Sequence, residues 1–168
     1  MEMKRLSKER YYLDIAFTVS KRSTCLRRHI GAIIVKNDSI ISTGYNGSAR
    51  GTPNCFEKGC MKNKLGLPYG SSYDSCRAGI LHAEVNAIIN AARNNGGTNG
   101  ATIYVAGGYV DGKGNLGAAI CKHCQKAIIN AGIKRAIMAV ENGFKEFLVE
   151  DWVKESKKTK TRDLAGLY

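Results

Sequence analysis

His82-Ala83-Glu84 and Cys121-Lys122-His123-Cys124 supply one imidazole, two thiols and one carboxyl group, the side-chain types that hold a Zn²⁺ ion and work beside it. Two thiolates and one imidazole make three ligands and leave the fourth tetrahedral position for water, the mark of a catalytic rather than a closed structural site. Zinc in such a site brings the pKa of water down to about 7. Glu84 lies two residues from His82, about 200° around a helix, so it can stand near the metal without ligating it and is free to move protons. Each half alone is weak evidence. A CxxC also serves as a redox pair or half of a structural zinc site, and an isolated His-x-Glu means little.

Both halves fall where helices are expected to begin. The run 82–93 is rich in Ala, Ile and Val and ends at Asn94-Asn95-Gly96-Gly97, and the run 121–131 is stopped by Gly132. A helix start offers free N–H groups and the positive end of the helix dipole, which favours thiolate. Ser7 can cap a further helix reaching about Lys21, with Leu13, Ile15, Ala16 and Val19 on its apolar face. β-branched runs at 30–36 and 39–43 flank Asn37-Asp38 and predict a hairpin. Strands are expected at 101–106 and 133–140, and a helix at 149–158 with a basic tail behind it. Helices alternating with strands predict a layered α/β domain. Residues 44–80 hold both prolines and three cysteines without a sustained period, and a loop of that length calls for a functional or metal-clamped explanation. Residues 107–119 read as a glycine-rich insertion.

A chain of 168 residues favours one domain, here 7–168, and 43% apolar with 24% charged residues excludes disordered and collagen-like classes. No apolar run approaches the ~20 residues that span a bilayer, and residues 1–12 lack the apolar core of a secretory signal. The expectation is a cytoplasmic protein. Lys plus Arg outnumber acids 26 to 14, a net charge of +12 that attracts phosphorylated ligands or polyanions. One Trp and eight scattered Tyr give little of the aromatic interleaving that single-stranded nucleic acid needs. Six cysteines in a reducing compartment point to metal or catalysis before disulfides.

His-x-Glu followed by Cys-x-x-Cys is the signature order of zinc nucleobase deaminases. The sequence resembles the cytidine/deoxycytidylate deaminase superfamily over residues 10–140, closest to the dCMP deaminases and the late-competence operon proteins. The resemblance is carried by Cys25, Ile30-Gly31-Ala32-Ile33-Ile34-Val35, Ile41-Ser42-Thr43-Gly44-Tyr45-Asn46-Gly47, His82-Ala83-Glu84-Val85-Asn86-Ala87-Ile88, Cys121-x-x-Cys124 and Ile128-Ile129-Asn130-Ala131-Gly132-Ile133. It implies a three-layer α/β/α sandwich around a five-stranded mixed sheet, a homohexamer needing zinc, and hydrolysis of dCMP to dUMP and ammonia in pyrimidine nucleotide metabolism.

Residue by residue, the resemblance implies His82, Cys121 and Cys124 as zinc ligands and Glu84 as proton shuttle. Asn46 falls where the family holds the deoxyribose, Arg27 matches a phosphate contact, and Ala83 is a further substrate-binding position. Gly44, Tyr45, Gly47 and Arg93 fall near a regulatory site that takes dCTP and dTTP. Some dCMP deaminases carry a second zinc, and Cys25 and Cys55 match its cysteine positions. With Cys60 and Cys76 they are expected to form a structural Cys₄ site over the 44–80 loop, although spacings of 29, 4 and 15 residues contain no CxxC and buried free thiols are the alternative. Two departures bear on substrate choice: Ile120 stands where the family has proline, and 107–119 lengthens the approach to the CxxC. The rival readings are a deaminase of dCTP or of a base in single-stranded nucleic acid or tRNA, and a non-catalytic zinc module that binds nucleic acid.

Overall fold

The computed structural model describes residues 5–68, 80–111 and 119–158. The Ser7 hydroxyl accepts from Arg10 N at 3.2 Å and opens α1 (Lys8–Ser20). β1 (Arg28–Lys36) and β2 (Ser39–Tyr45) form the expected hairpin. Its two turn residues, Asn37 and Asp38, both have positive φ (49° and 60°), as a tight turn matched to strand twist requires. Then come β3 (Gly47–Ser48), α2 (Cys55–Lys58), α3 (Met61–Lys64), β4 (Ile80–Leu81), α4 (Ala83–Arg93) and β5 (Thr102–Tyr109). α5 (Lys122–Asn130), β6 (Arg135–Val140), β7 (Gly143–Leu148) and α6 (Val149–Lys158) complete the described chain.

The main sheet runs β2-β1-β5-β6-β7, with β5 and β6 parallel and the other pairs antiparallel. Alternation along the strands assigns each face. Ile33 and Val35 of β1, Tyr104 and Ala106 of β5 and Ile137 of β6 pack with Tyr12, Leu13 and Ala16 of α1. Ala32, Ile34, Ile103, Val105, Ala136 and Met138 face the other way, onto α4, α5 and α6 through Ala83, Ala87, Ala91, Cys124, Ile128 and Trp152. This is the expected three-layer α/β/α sandwich on a five-stranded mixed sheet.

Three local differences from the sequence reading have physical causes. β7 has no counterpart among the strands read from the residues: its first four residues and its last are exposed, so it carries no alternating pattern. β5 runs on to Tyr109, so the start of the 107–119 segment is strand, and 112–118 lie outside the described residues. Gly107 pairs with Ile30 there, and a Cβ on it would lie 2.0 Å from His29 O. The 44–80 segment is not all loop, since β3 and β4 pair as a small separate sheet and α2 and α3 are single turns.

β2 and α4 meet at backbone distance. A Cβ on Gly44 would lie 2.3 Å from Ala87 N and 2.5 Å from Ala83 O, and the Ser42 hydroxyl donates to Ala87 O at 2.6 Å. Overpacking of this kind costs about 1–3 kcal/mol or more. Gly44→Ala is expected to lower the urea midpoint with an unchanged m value; an unaltered midpoint would show that the β2–α4 contact is easily opened.

Candidate active site

The two halves of the chemical motif meet at the starts of α4 and α5. His82 is the N-cap of α4 (φ −74°, ψ 152°) and Cys121 the N-cap of α5 (φ −61°, ψ 152°). Both stay extended because a cap residue precedes the helical turn, and this turns both side chains back over the helix ends. The Cys121 sulfur accepts from Cys124 N at 3.4 Å, occupying an otherwise unpaired N–H of the first turn. Since α4 and α5 share one apolar cluster, their starts lie side by side. His82 Nδ1 is 3.2 Å from Cys124 Sγ and 3.4 Å from Cys121 Sγ.

These three ligand atoms lie within 4.8 Å of one another, and among the described residues they are the one such group of three or more. His82 is half-buried, Cys121 exposed and Cys124 buried, so the triad runs from the surface into the core. One imidazole nitrogen and two sulfurs are a donor set suited to Zn²⁺, and the three side chains are positioned to bind a metal ion.

The electrostatics of the metal-free triad suit it to taking up a cation. The Cys121 thiol is pushed down to about 4 by hydrogen bonds from the Cys124 thiol, from His82 and from the Cys124 backbone N–H, against the effect of burial. Cys124 moves upward, because it holds the shared proton toward Cys121 and is buried. His82 is raised by its hydrogen bond with Cys121. Glu84 is 7% exposed, and burial raises its carboxyl above the ordinary range despite a helix N–H and His82 nearby. Its carboxyl group is within hydrogen-bonding reach of the Cys124 thiol. A buried carboxyl beside the ligands, with a pKa moved toward neutrality, is the arrangement expected of a general acid–base group.

Asn46 lies directly after β2 and is buried. Its Oδ1 accepts from Ile30 N and its Nδ2 donates to Arg28 O, both at 2.8 Å, so the side chain extends the β1 ladder by one step. An amide has two acceptor and two donor positions, and these two bonds use one of each. Ser23, which no sequence signal marks, donates its hydroxyl to Asn46 O at 2.8 Å and secures the same corner. Arg27 is buried, and its Nη2 donates to Leu67 O at 3.0 Å, tying the segment after α3 to the start of β1. Ala83 has no exposed surface and packs in the core against β2. Gly44, Tyr45 and Gly47 flank Asn46 as one segment, whereas Arg93 stands about two turns beyond Asn86 at the far end of α4. Ile120 is 2% exposed and fills the core beside Cys124, and its carbonyl accepts from Gln125 Nε2 at 2.8 Å. An apolar anchor with a side-chain cap thus replaces the preset φ of proline at this helix entry.

The expected four-thiol clamp is not assembled among the described residues. Cys25 and Cys55 pack together with Ile80. Cys60 is buried outside that cluster, and Cys76 lies outside the described residues.

Residues 6–140 match the family described as "Cytidine and deoxycytidylate deaminase zinc-binding region". The chain belongs to this family. Two curated relatives are named deoxycytidylate deaminase: one from Schizosaccharomyces pombe, 34% identical over 79% of this chain and 37% of its own length, and one from Enterobacteria phage T4, 35% identical over 74% of each. This chain therefore spans little more than a third of the yeast protein and about three-quarters of the phage protein. Among solved structures, the dCMP deaminase of cyanophage S-TIM5 in complex with dCMP and dUMP superposes with a TM-score of 0.58 at 27% identity, over 80% of this chain and 83% of that one. The deaminase match ends at Val140, so β7 and α6 lie beyond it. Among the described residues no helix is long and apolar enough to cross a membrane.

Proposed function

We propose that this chain is a zinc-dependent hydrolase that converts dCMP to dUMP and ammonia. The observation that carries the reading is the buried Glu84 carboxyl beside the open ends of two helices whose caps, His82 and Cys121, converge with Cys124. The deoxycytidylate deaminases among the relatives, and the neighbour solved with dCMP and dUMP, support the choice of nucleotide. His82, Cys121 and Cys124 hold the metal in this reading. When bound, zinc supplies a Lewis acid that makes water acidic near neutral pH.

The remaining chemistry belongs to the chain. Glu84 accepts a proton from the attacking water and delivers it to N3 of the cytosine ring as the oxygen adds to C4. It then passes the second water proton to the exocyclic nitrogen, which leaves as ammonia. Burial keeps bulk water from competing for these protons and makes the carboxyl hold a proton more tightly than an exposed one would. Asn46 orients the deoxyribose through its spare amide positions, and the excess of basic residues draws the phosphorylated substrate in. The reading extends to a homo-oligomer, which the family resemblance implies, with dCTP and dTTP as effectors near Gly44, Tyr45, Gly47 and Arg93.

The deciding experiment offers dCMP, dCTP, cytidine and a cytosine-containing oligonucleotide to the protein, with and without a strong chelator. Ammonia released chiefly from dCMP and lost on chelation is the expected result. A preference for the oligonucleotide, or salt-dependent nucleic-acid binding without ammonia from any substrate, would replace the reading with one of its rivals.

Metal analysis tests the structural site separately. We propose that Cys25 and Cys55, packed together, are the core of the second zinc site expected with Cys60 and Cys76. Two zinc atoms per chain are expected, falling to one in Cys55→Ser with the Glu84-dependent activity retained. A single zinc in the unaltered protein would leave the thiols as small core hydrophobes.

A further inference from the structure

Asn86 and Asn90 stand one turn apart on α4, beside the alanine stripe that packs on the sheet. Asparagine is a poor helix-interior residue because its amide competes for nearby backbone groups. Here both amides are committed to another element. Asn86 Nδ2 donates to Tyr45 O at 2.8 Å and Asn90 Nδ2 to Thr43 O at 2.7 Å. Asn90 Oδ1 in turn accepts from Arg50 Nη2 at 2.7 Å. The three side chains tie together α4, β2 and the turn that follows β3.

That frame lies between the two halves of the site. Tyr45, held by Asn86, immediately precedes Asn46, and Asn86 follows Glu84 by two residues on the same helix. On the other side Gly47 pairs with Leu81, the residue before His82. The segment 45–47 is therefore fastened both to the helix that carries Glu84 and to the strand that leads into His82.

We propose that Asn86, braced through Asn90 and Arg50, is a positioning residue that sets the distance between a nucleotide held at Asn46 and the Glu84 carboxyl. The inference rests on the deaminase reading. The Asn86 side chain acts through the Tyr45 carbonyl, while its backbone N–H continues the helix by donating to His82 O at 3.0 Å.

The test uses the zinc-loaded protein and Asn86→Asp, which keeps the size of the side chain but removes the donor and sets a carboxylate against the carbonyl. Misplacement by about 1 Å can cost about 10²-fold in rate, so kcat for dCMP is expected to fall at least about tenfold with KM changed by less than about threefold. The visible spectrum of the cobalt-substituted protein, which reports the His82–Cys121–Cys124 centre, is expected to stay unchanged, and equilibrium binding of dUMP to change by less than about threefold. Arg50→Ala removes only the exposed brace and is expected to lower kcat by less than Asn86→Asp, with Arg50→Lys restoring it. If the unaltered protein releases no ammonia from dCMP, the deaminase reading falls and the inference with it. If it does, and Asn86→Asp matches it in kcat, the inference alone falls. Should Asn86→Asp fail to fold, Arg50→Ala decides: a kcat equal to that of the unaltered protein overturns the proposal.

Discussion

Glu84→Gln is expected to keep its zinc, lose turnover by about 10²–10⁴-fold or more, and gain thermal stability. The loss follows from chemistry, because the amide can neither accept the proton of the attacking water nor deliver it to the ring. The gain follows from burial. Glu84 is 7% exposed, and its carboxyl is raised above 4.5 chiefly by desolvation, so the folded state holds this proton more tightly than the unfolded chain does. A carboxyl whose folded pKa is raised costs nothing well below 4.5. Its cost grows as pH climbs from 4.5 through the raised value and is full above it. Glutamine has no such cost.

In the metal-free protein the melting temperature of Glu84→Gln should therefore exceed that of its parent at pH 8 by more than at pH 4. Zinc content, kcat and paired melts at the two pH values check all three parts. Full activity in the variant would end the assignment of Glu84, and a pH-independent stability difference would mean that the carboxyl is solvated.

Much of this arrangement is legible in the residues because helix starts announce themselves. Ser7 before α1, Asn94-Asn95 after α4 and Gly132 after α5 bound elements whose apolar faces repeat at helical spacing. The Asn37-Asp38 pair sets the hairpin by its own turn chemistry. His82 and Cys121 fall at the ends of such elements, so the convergence of the triad follows once the two helices are taken to pack side by side.

What the residues conceal has a different cause. β7 is an edge strand on which Phe147 alone packs partly against the core, and no periodicity survives there. Gly107 and Gly108 belong to a strand because β1 approaches closely at Gly107, and a glycine chosen for proximity looks the same in sequence as one chosen for a turn. The roles of Ser23, Gln125 and Asn86 depend on which backbone atoms the tertiary fold brings to them. Asn86 stands inside a recognisable motif, yet its partner is 41 positions away. The cysteines outside the triad mark the limit from the other side. Composition groups the four of them, but packing joins only Cys25 to Cys55 among the three described.

Cys124→Ser is expected to lose both the metal and the activity, and to lose more stability than Cys121→Ser. In the proposed centre the two thiols would serve the same ion from different surroundings. Cys121 is exposed at the cap and already favours thiolate at neutral pH, whereas Cys124 has no exposed surface, packs among Ala83, Ile120 and Ile128, and retains the shared proton until a cation displaces it. Zinc uptake must therefore release a proton from the pair, and zinc affinity should fall as pH is lowered. A metal that binds only the folded state adds about 4.1 kcal/mol when its concentration is a thousandfold above Kd. Both serine variants forfeit that contribution, and Cys124→Ser in addition puts a smaller, more strongly hydrated hydroxyl where a fully buried sulfur packs against Ala83, Ile120 and Ile128, with His82 and the Glu84 carboxyl still in reach as partners. Melting temperatures with and without added zinc separate the two costs. Zinc should raise the midpoint of the unaltered protein and leave both variants unmoved, with the metal-free midpoint of Cys124→Ser the lowest of the three. A Cys124→Ser protein that kept zinc and deaminated dCMP would place the metal elsewhere, and equal midpoints for the two metal-free variants would show that burial at Cys124 carries no stability beyond what the ion provides.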